Sequence, residues 1–283
     1  PGLYEPNGIV SNRKPGETFW ISFEKDGKTY KSNPQTMQQH VAKDELYWDV
    51  QVLQRISDAG VAYEEEVVRL FANVSFQQLP EDFFLRWRIE EVFNVQEAYL
   101  PPQNFMFFPK QCYVKNDLKT QQIMLLDGSK LKNLSLNGRE IIERKVDRSF
   151  QFKHYFNLIQ LALTEESYVY WERVNALTDR AGSIFDVPPA PVPGNIKSSD
   201  PNEKVLGIFE VVSLDTTRTL LTNNDIPYFF VNPCSTAGAT RYFELVSVPF
   251  NCIKCLIDER IIAEECVECL SIENSTLNRP SYF

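Results

Sequence analysis

TEESYVYWERVNALTDRAGSIFDVPPAPVPGNIKSSDPNEKVLGIFEVVS, residues Thr164–Ser213, is the stretch whose reading decides the fold. Thr164 suits an N-cap, Glu165 and Glu166 place negative charge in the first turn, and Gly182 follows Arg180 as a helix-ending residue. These signals predict one helix over 165–181, about four turns long. Tyr168, Trp171, Val174 and Thr178 share a stripe, with Tyr170 and Leu177 beside it, so bulk on two faces predicts a helix wedged against sheet on more than one side. Pro188, Pro189, Pro191 and Pro193 then fix φ and remove backbone donors. The loop 183–196 must therefore be extended, anchored by Ile184, Phe185 and Ile196. Val205–Val212 resumes β-prone sequence.

Around this stretch the chain reads as sheet. Residues 1–36 read as the last strands of a small β-sandwich: Thr18–Phe23 is strand-like, Asp26-Gly27 signals a hairpin turn, and Thr29-Tyr30 opens the partner strand. Asn33-Pro34 and the polar run to His40 mark a boundary, and 37–283 forms a larger antiparallel β domain. Within it Val68, Leu70, Ala72, Val74 and Phe76 oppose Arg69, Asn73 and Ser75. Likewise Phe83, Leu85, Trp87 and Ile89 oppose Arg86, Arg88 and Glu90, with Glu91 beside them, which predicts an outer face exposed to water. Phe105, Phe107 and Phe108 sit between prolines in an apolar loop that suits a partner contact or a core plug. Asp127-Gly128, Asn137-Gly138 and Asp215-Thr216-Thr217 read as turns. Phe150–Leu163 reads as a long strand leading into the Thr164 cap, and 226–231 and 241–248 as short strands.

A chain of 283 residues with 43% hydrophobic content buries a sizeable core, and a net charge of −9 argues against a nucleic-acid grip. No run approaches the 18 apolar residues of a membrane helix, so any membrane attachment comes from outside these residues. His40 and His154 are the two histidines, neither in a nucleophile context, and His154 within an apolar strand reads as packed or paired. No phosphate-binding glycine loop, HExxH or EF-hand loop occurs, so no cofactor, metal or catalytic residue is expected.

The runs YVYWERVN, GSIFDVPPAPVPGNI and SSDPNEKVLGIFEV resemble the core signature of a family of Bacteroidetes surface lipoproteins, domain of unknown function 4249. Pro1-Gly2-Leu3-Tyr4, Asp26–Ser32, Cys112-Tyr113, Cys252-x-x-Cys255 and Arg279–Phe283 are similar to it as well. The resemblance implies a secretory signal, a lipid-modified cysteine and further strands before Pro1, with 1–36 ending an immunoglobulin-like or carboxypeptidase-regulatory-like module. It also implies a surface-exposed outer-membrane lipoprotein that is not an enzyme and works as an accessory or lid-like partner of a TonB-dependent transporter. A structural or assembly subunit of a larger outer-membrane or secretion complex is the alternative reading, with an extracellular hydrolase behind both.

Six cysteines, Cys112, Cys234, Cys252, Cys255, Cys266 and Cys269, suit disulfides in an exported chain. In the tail 252–269 the last four form C-x2-C-x10-C-x2-C, so a structural zinc on Cys252, Cys255, Cys266 and Cys269 is the rival. A bridge between cysteines separated by two residues is awkward in regular structure, so the expected pairing is nested. Cys252 would join Cys269 and Cys255 would join Cys266, leaving Cys112 with Cys234.

Overall fold

The computed structural model describes residues 13–76, 82–97, 109–120, 122–178, 191–227, 255–257, 260–262 and 264–283. It is mainly β, as expected. The first strands are β1 (Thr18–Phe19), β2 (Ser22–Lys25), β3 (Lys28–Ser32) and β4 (Gln35–Thr36), followed by β5 (Ala42–Ile56) and β6 (Ala62–Phe76). Then come β7 (Phe84–Gln96), β8 (Gln111–Leu118), β9 (Met124–Asp127), β10 (Ser135–Lys145) and β11 (Lys153–Leu163). The principal helix α1 (Glu165–Thr178) precedes β12 (Ile196–Ser198) and β13 (Ser213–Thr222). The tail holds β14 (Cys255–Ile257), β15 (Arg260–Ile262), the single turn α2 (Glu264–Val267) and β16 (Ser275–Thr276).

Two antiparallel sheets make the larger body. One runs β10-β6-β5, the other β13-β11-β7-β8-β16, with β9 taking over from β8 beside β7. Their inner faces meet in one core: Val68, Leu70, Ala72, Val74 and Phe76 of β6 lie against Leu85, Trp87 and Ile89 of β7 and Phe156 and Leu158 of β11. The alternation in the sequence identifies these inward positions, because side chains of a strand point to opposite faces in turn.

The outer face of β7 is not exposed to water. Arg86, Glu90 and Glu91 retain 7%, 8% and 2% of their accessible surface, and only Arg88 of that group is exposed. Cover arrives from distant sequence: α1 lies against β7, while Tyr282 and Phe283 pack on Tyr155 and Phe283 on Tyr113. Glu91 is buried on the inner side. Charge on these positions is accommodated by pairing rather than by solvent.

Two turn signals have other outcomes. Gly138, at φ 68°, sits where the β10–β6 register slips between Leu136 and Arg139, so Asn137-Gly138 makes a bulge inside a strand. Asp215–Thr217 lies within β13, paired to Gln160, Ile159 and Leu158. Asp127-Gly128 does turn, through a short helical turn capped by the Asp127 carboxylate. The Asp26-Gly27 hairpin is as expected, with φ of 52° and 73° and Lys25 opposite Lys28. Val205–Val212 is irregular apart from a bridge of Leu206 to Pro193, and the strand starts at Ser213. Residues 228–231 and 241–248 lie outside the described residues, as do 183–190 of the proline loop.

The N-terminal strands form a pair, β1-β4, and a three-stranded sheet, β12-β3-β2, whose third member comes from beyond the helix. Among the described residues no helix is long and apolar enough to cross a membrane.

Candidate functional site

The Thr164–Ser213 stretch acts as a clamp between the N-terminal strands and the large sheet. Thr164 caps α1, its Oγ1 accepting from the Ser167 amide at 3.3 Å. Glu166 in the first turn accepts from Asn33 Nδ2 at 2.7 Å, from Gln35 Nε2 at 2.5 Å and from Asn195 Nδ2 at 3.4 Å. Asn195 brackets Phe209 like a neighbouring strand: its Nδ2 donates to the Phe209 carbonyl and its Oδ1 accepts from the Phe209 amide, both at 2.8 Å. At Gly194 the backbone passes so close to Gly207 that a Cβ would stand 1.5 Å from the Gly207 carbonyl oxygen, so glycine is required there. Further out, Lys28 pairs with Asp200 at 2.9 Å and Glu203 at 3.2 Å, and the Tyr30 hydroxyl donates to Glu203.

This clamp leaves an open apolar cleft of about 930 Å³ between β1–β2 and the segment from Phe209 to Leu214. Phe19, Trp20, Phe23, Phe209 and Leu214 are among its lining residues, and Arg13 is its one charged lining residue among those described. Trp20 is 57% exposed and Leu214 62%. The wall is held from behind: Phe23 stacks on Tyr30 at 5.0 Å, the Ile21 amide donates to Ser32 Oγ, and Ser213 Oγ donates to the Gln38 carbonyl. Sequence reading passes over this site because it joins two segments remote in the chain. The aromatic density of Thr18–Phe23, on strands too short to bury it, is the signal that could have found it.

On the outer face of β7, Arg86 stacks on Trp171 with its guanidinium carbon 4.0 Å from the ring centroid. Arg86 Nη2 and Trp171 Nε1 both donate to Glu210, at 3.0 and 2.9 Å. Trp171 is only half-buried, but it joins the cluster of Tyr168, Leu161, Leu163 and Val212 that seats the helix on the sheet. Tyr168 and Trp171 both lie over one face of this one sheet, so the helix is seated on a single sheet rather than wedged on more than one side.

Between the two sheets lies a polar group centred on the buried Glu91 and His154 side chains. Glu91 accepts from Asn116 Nδ2 and from Arg144 Nε, each at 2.9 Å, and Arg144 also donates to Asp147 at 2.8 Å. His154 Nε2 is 3.3 Å from the same carboxylate, within ion-pair range but misaligned for a hydrogen bond. Its Nδ1 faces the Ser149 carbonyl, and its ring is stacked on Phe150 and Phe93. Burial pushes the Glu91 carboxyl up, yet its interactions with His154 and Arg144 outweigh it and hold it at about 2. No solvent reaches His154, so it is packed and paired. The Glu90-Glu91 doublet, which interrupts the apolar alternation of β7, marks this group in the sequence.

The cysteines pair differently from expectation. Cys112 of β8 is bonded to Cys269, with Cα atoms 5.9 Å apart, which removes Cys269 from Cys252 and Cys112 from Cys234. The physical reason is the return of the tail along the large sheet, where β16 pairs with β8 and the turn just before it sets Cys269 against Phe93, Val95 and Val114. Glu97 frames the bridge, accepting from the Cys269 amide at 3.1 Å and pairing with Lys110 at 3.3 Å. Cys266 is also disulfide-bonded. Its partner is one of Cys234, Cys252 and Cys255, whose side chains lie outside the described residues. With Cys266 and Cys269 both in disulfides, the tetrathiolate zinc site of Cys252, Cys255, Cys266 and Cys269 does not form. Phe105, Phe107 and Phe108 lie outside the described residues.

Chemically, the apolar cleft can bury a partner's side chains and the charged groups can hold elements together. Among the described residues no cluster of three histidine, cysteine or carboxylate side chains is placed to hold a metal ion. The family model described as Domain of unknown function (DUF4249) matches residues 3–218. That span includes the clamp and the cleft and leaves the cysteine-rich tail outside. No curated protein and no solved structure matches the chain.

Proposed function

The chain belongs to the DUF4249 family, and on that premise we propose that it is a non-enzymatic docking subunit. In this reading it is a surface-exposed, lipid-anchored outer-membrane protein that acts as an accessory or lid-like partner of a TonB-dependent transporter. The observation that carries the reading is the open apolar cleft, about 930 Å³ in volume, with Trp20 and Leu214 more than half exposed. Large exposed apolar walls rimmed by polar surface mark association sites, and aromatic residues dominate their energetics. The clamp supports the same reading, since Glu166 ties the N-terminal strands and the segment at Asn195 to one helix.

Cross-linking and co-purification of the full-length protein from its own cells test this. Wild type should bring down an outer-membrane barrel. Trp20→Ser with Leu214→Ser should lose it while keeping the circular dichroism and unfolding midpoint of wild type, because both side chains are mostly exposed already. Recovery of secretion or assembly machinery in place of a barrel would favour the structural-subunit alternative. Turnover of a glycan or peptide library would favour a hydrolase.

A further inference from the structure

A second concavity, about 470 Å³ in volume, opens on the other side of Arg86, and nothing in the docking reading uses it. Arg86 and Arg88 are two positions apart on β7, so both side chains leave the same face of the sheet. Lys119, just beyond β8, joins them at the rim, and Ile123 and Trp171 form an apolar wall. The wall is fixed in place, since the Ile123 amide donates to Asn175 Oδ1 of α1 at 2.8 Å.

The charges do not balance. Three cations, Arg86, Arg88 and Lys119, face two carboxylates, Asp117 on Arg88 at 2.8 Å and Glu210 on Arg86 at 3.0 Å, in a chain whose net charge is −9. Arg86 is 93% buried, one face is taken by Trp171, and its Nε is buried without a hydrogen-bond partner. Buried guanidinium donors left unpaired are costly, and an acceptor oxygen that reaches them removes that cost. Burial lowers the proton affinity of Arg86, Glu210 opposes this and Arg88 adds to it, so a further anion at this spot is favourable to both arginines. The volume lies in the range of small-ligand sites, in which an apolar wall and a few convergent polar groups are the usual make-up.

We propose that this groove binds a small carboxylate carried on a ring, with the carboxylate at Arg86 between Arg88 and Lys119 and the ring against Ile123 and the edge of Trp171. Guanidinium groups suit a carboxylate because their planar donors match its two oxygens, and an ammonium at the rim adds charge without demanding geometry. A neutral ring of the same shape gains the wall contact but not the ion pairing.

The test is a titration of the full chain, labelled with nitrogen-15, using benzoate and its neutral counterpart benzamide at constant ionic strength. The readout is the Trp171 indole N–H resonance, assigned with Trp171→Phe, since that group sits beside the site on Glu210. Benzoate should shift it saturably and benzamide should not. Arg88→Gln with Lys119→Gln, both exposed and so tolerated by the fold, should weaken benzoate binding about tenfold. Arg86→Gln should abolish it; if that variant does not fold, the exposed double variant decides. No saturable shift with benzoate, an equal response to benzamide, or unchanged affinity in the double variant would overturn the proposal and leave Arg86 as a purely structural clamp on Trp171.

Discussion

Glu91 of β7 and Arg144 of β10 meet across the interface of the two sheets, with Arg144 Nε 2.9 Å from the Glu91 carboxylate and the Glu91 side chain 2% exposed. Charge therefore joins the two sheets here, as it does where Trp87 Nε1 of β7 donates to the buried Asp44 carboxylate of β5 at 2.8 Å.

Because the Glu91 carboxyl is held at about 2 against an ordinary 4.5, its ionised form favours the folded state. The contribution is full above about pH 4.5 and is lost as pH falls through about 2, amounting to roughly 3 kcal/mol. Glu91→Gln should flatten that limb of the stability-versus-pH curve. It should also lower stability at neutral pH by the same amount, roughly 3 kcal/mol, with Arg144 keeping Asp147 as its remaining partner. Urea unfolding between pH 2 and 7 checks both.

Non-reducing peptide mapping should recover a fragment in which Cys112 is linked to Cys269. The bridge closes a loop with a sequence separation of 157. Cys112→Ser with Cys269→Ser should accordingly lower stability by about 4–5 kcal/mol on the chain-entropy account. A Cys112–Cys234 fragment in the map would contradict the structure.

Trp171→Ala removes the surface on which Arg86 lies and an indole donor to Glu210. The loss should be about 3 kcal/mol, read as a lowered urea midpoint. Trp171→Phe should lose less, because a ring face remains for the guanidinium. An unchanged midpoint for the alanine variant would mean that the helix is seated without its tryptophan.

Gly194→Ala places a methyl group against the Gly207 carbonyl oxygen, where the backbone of the two segments must move apart. Destabilisation of about 2 kcal/mol or more is expected. Proteolysis should reach the 191–210 segment first in this variant, since the Asn195 bracket on Phe209 opens with it.

The residues that decide local structure were readable in order along the chain. Thr164 ends a strand and caps a helix with its own hydroxyl, Asp26-Gly27 turns a hairpin, and Val68 to Phe76 alternate into the core, because each signal needs only its near neighbours. What escaped depends on partners far away. Arg86 looks solvent-facing until a helix lays Trp171 over it, and Gly138 looks like a hairpin until β6 supplies a register to slip against. Cys112 finds Cys269 only because the tail runs back along β8. The cleft and the Arg86 groove are of the same kind, each built from segments that are not neighbours in the sequence.

The sheet β12-β3-β2 has a consequence in time. Made from its N-terminus, the chain releases β3 with one edge open, and the strand that closes it, beginning at Ile196, follows only after β5 to β11 and the helix have been made. At ordinary synthesis speeds that delay is about 10–30 s. During it an unpaired edge beside Trp20 and Phe23 is available to any passing strand, so this corner of the protein is the place where misassembly with a second nascent chain should begin.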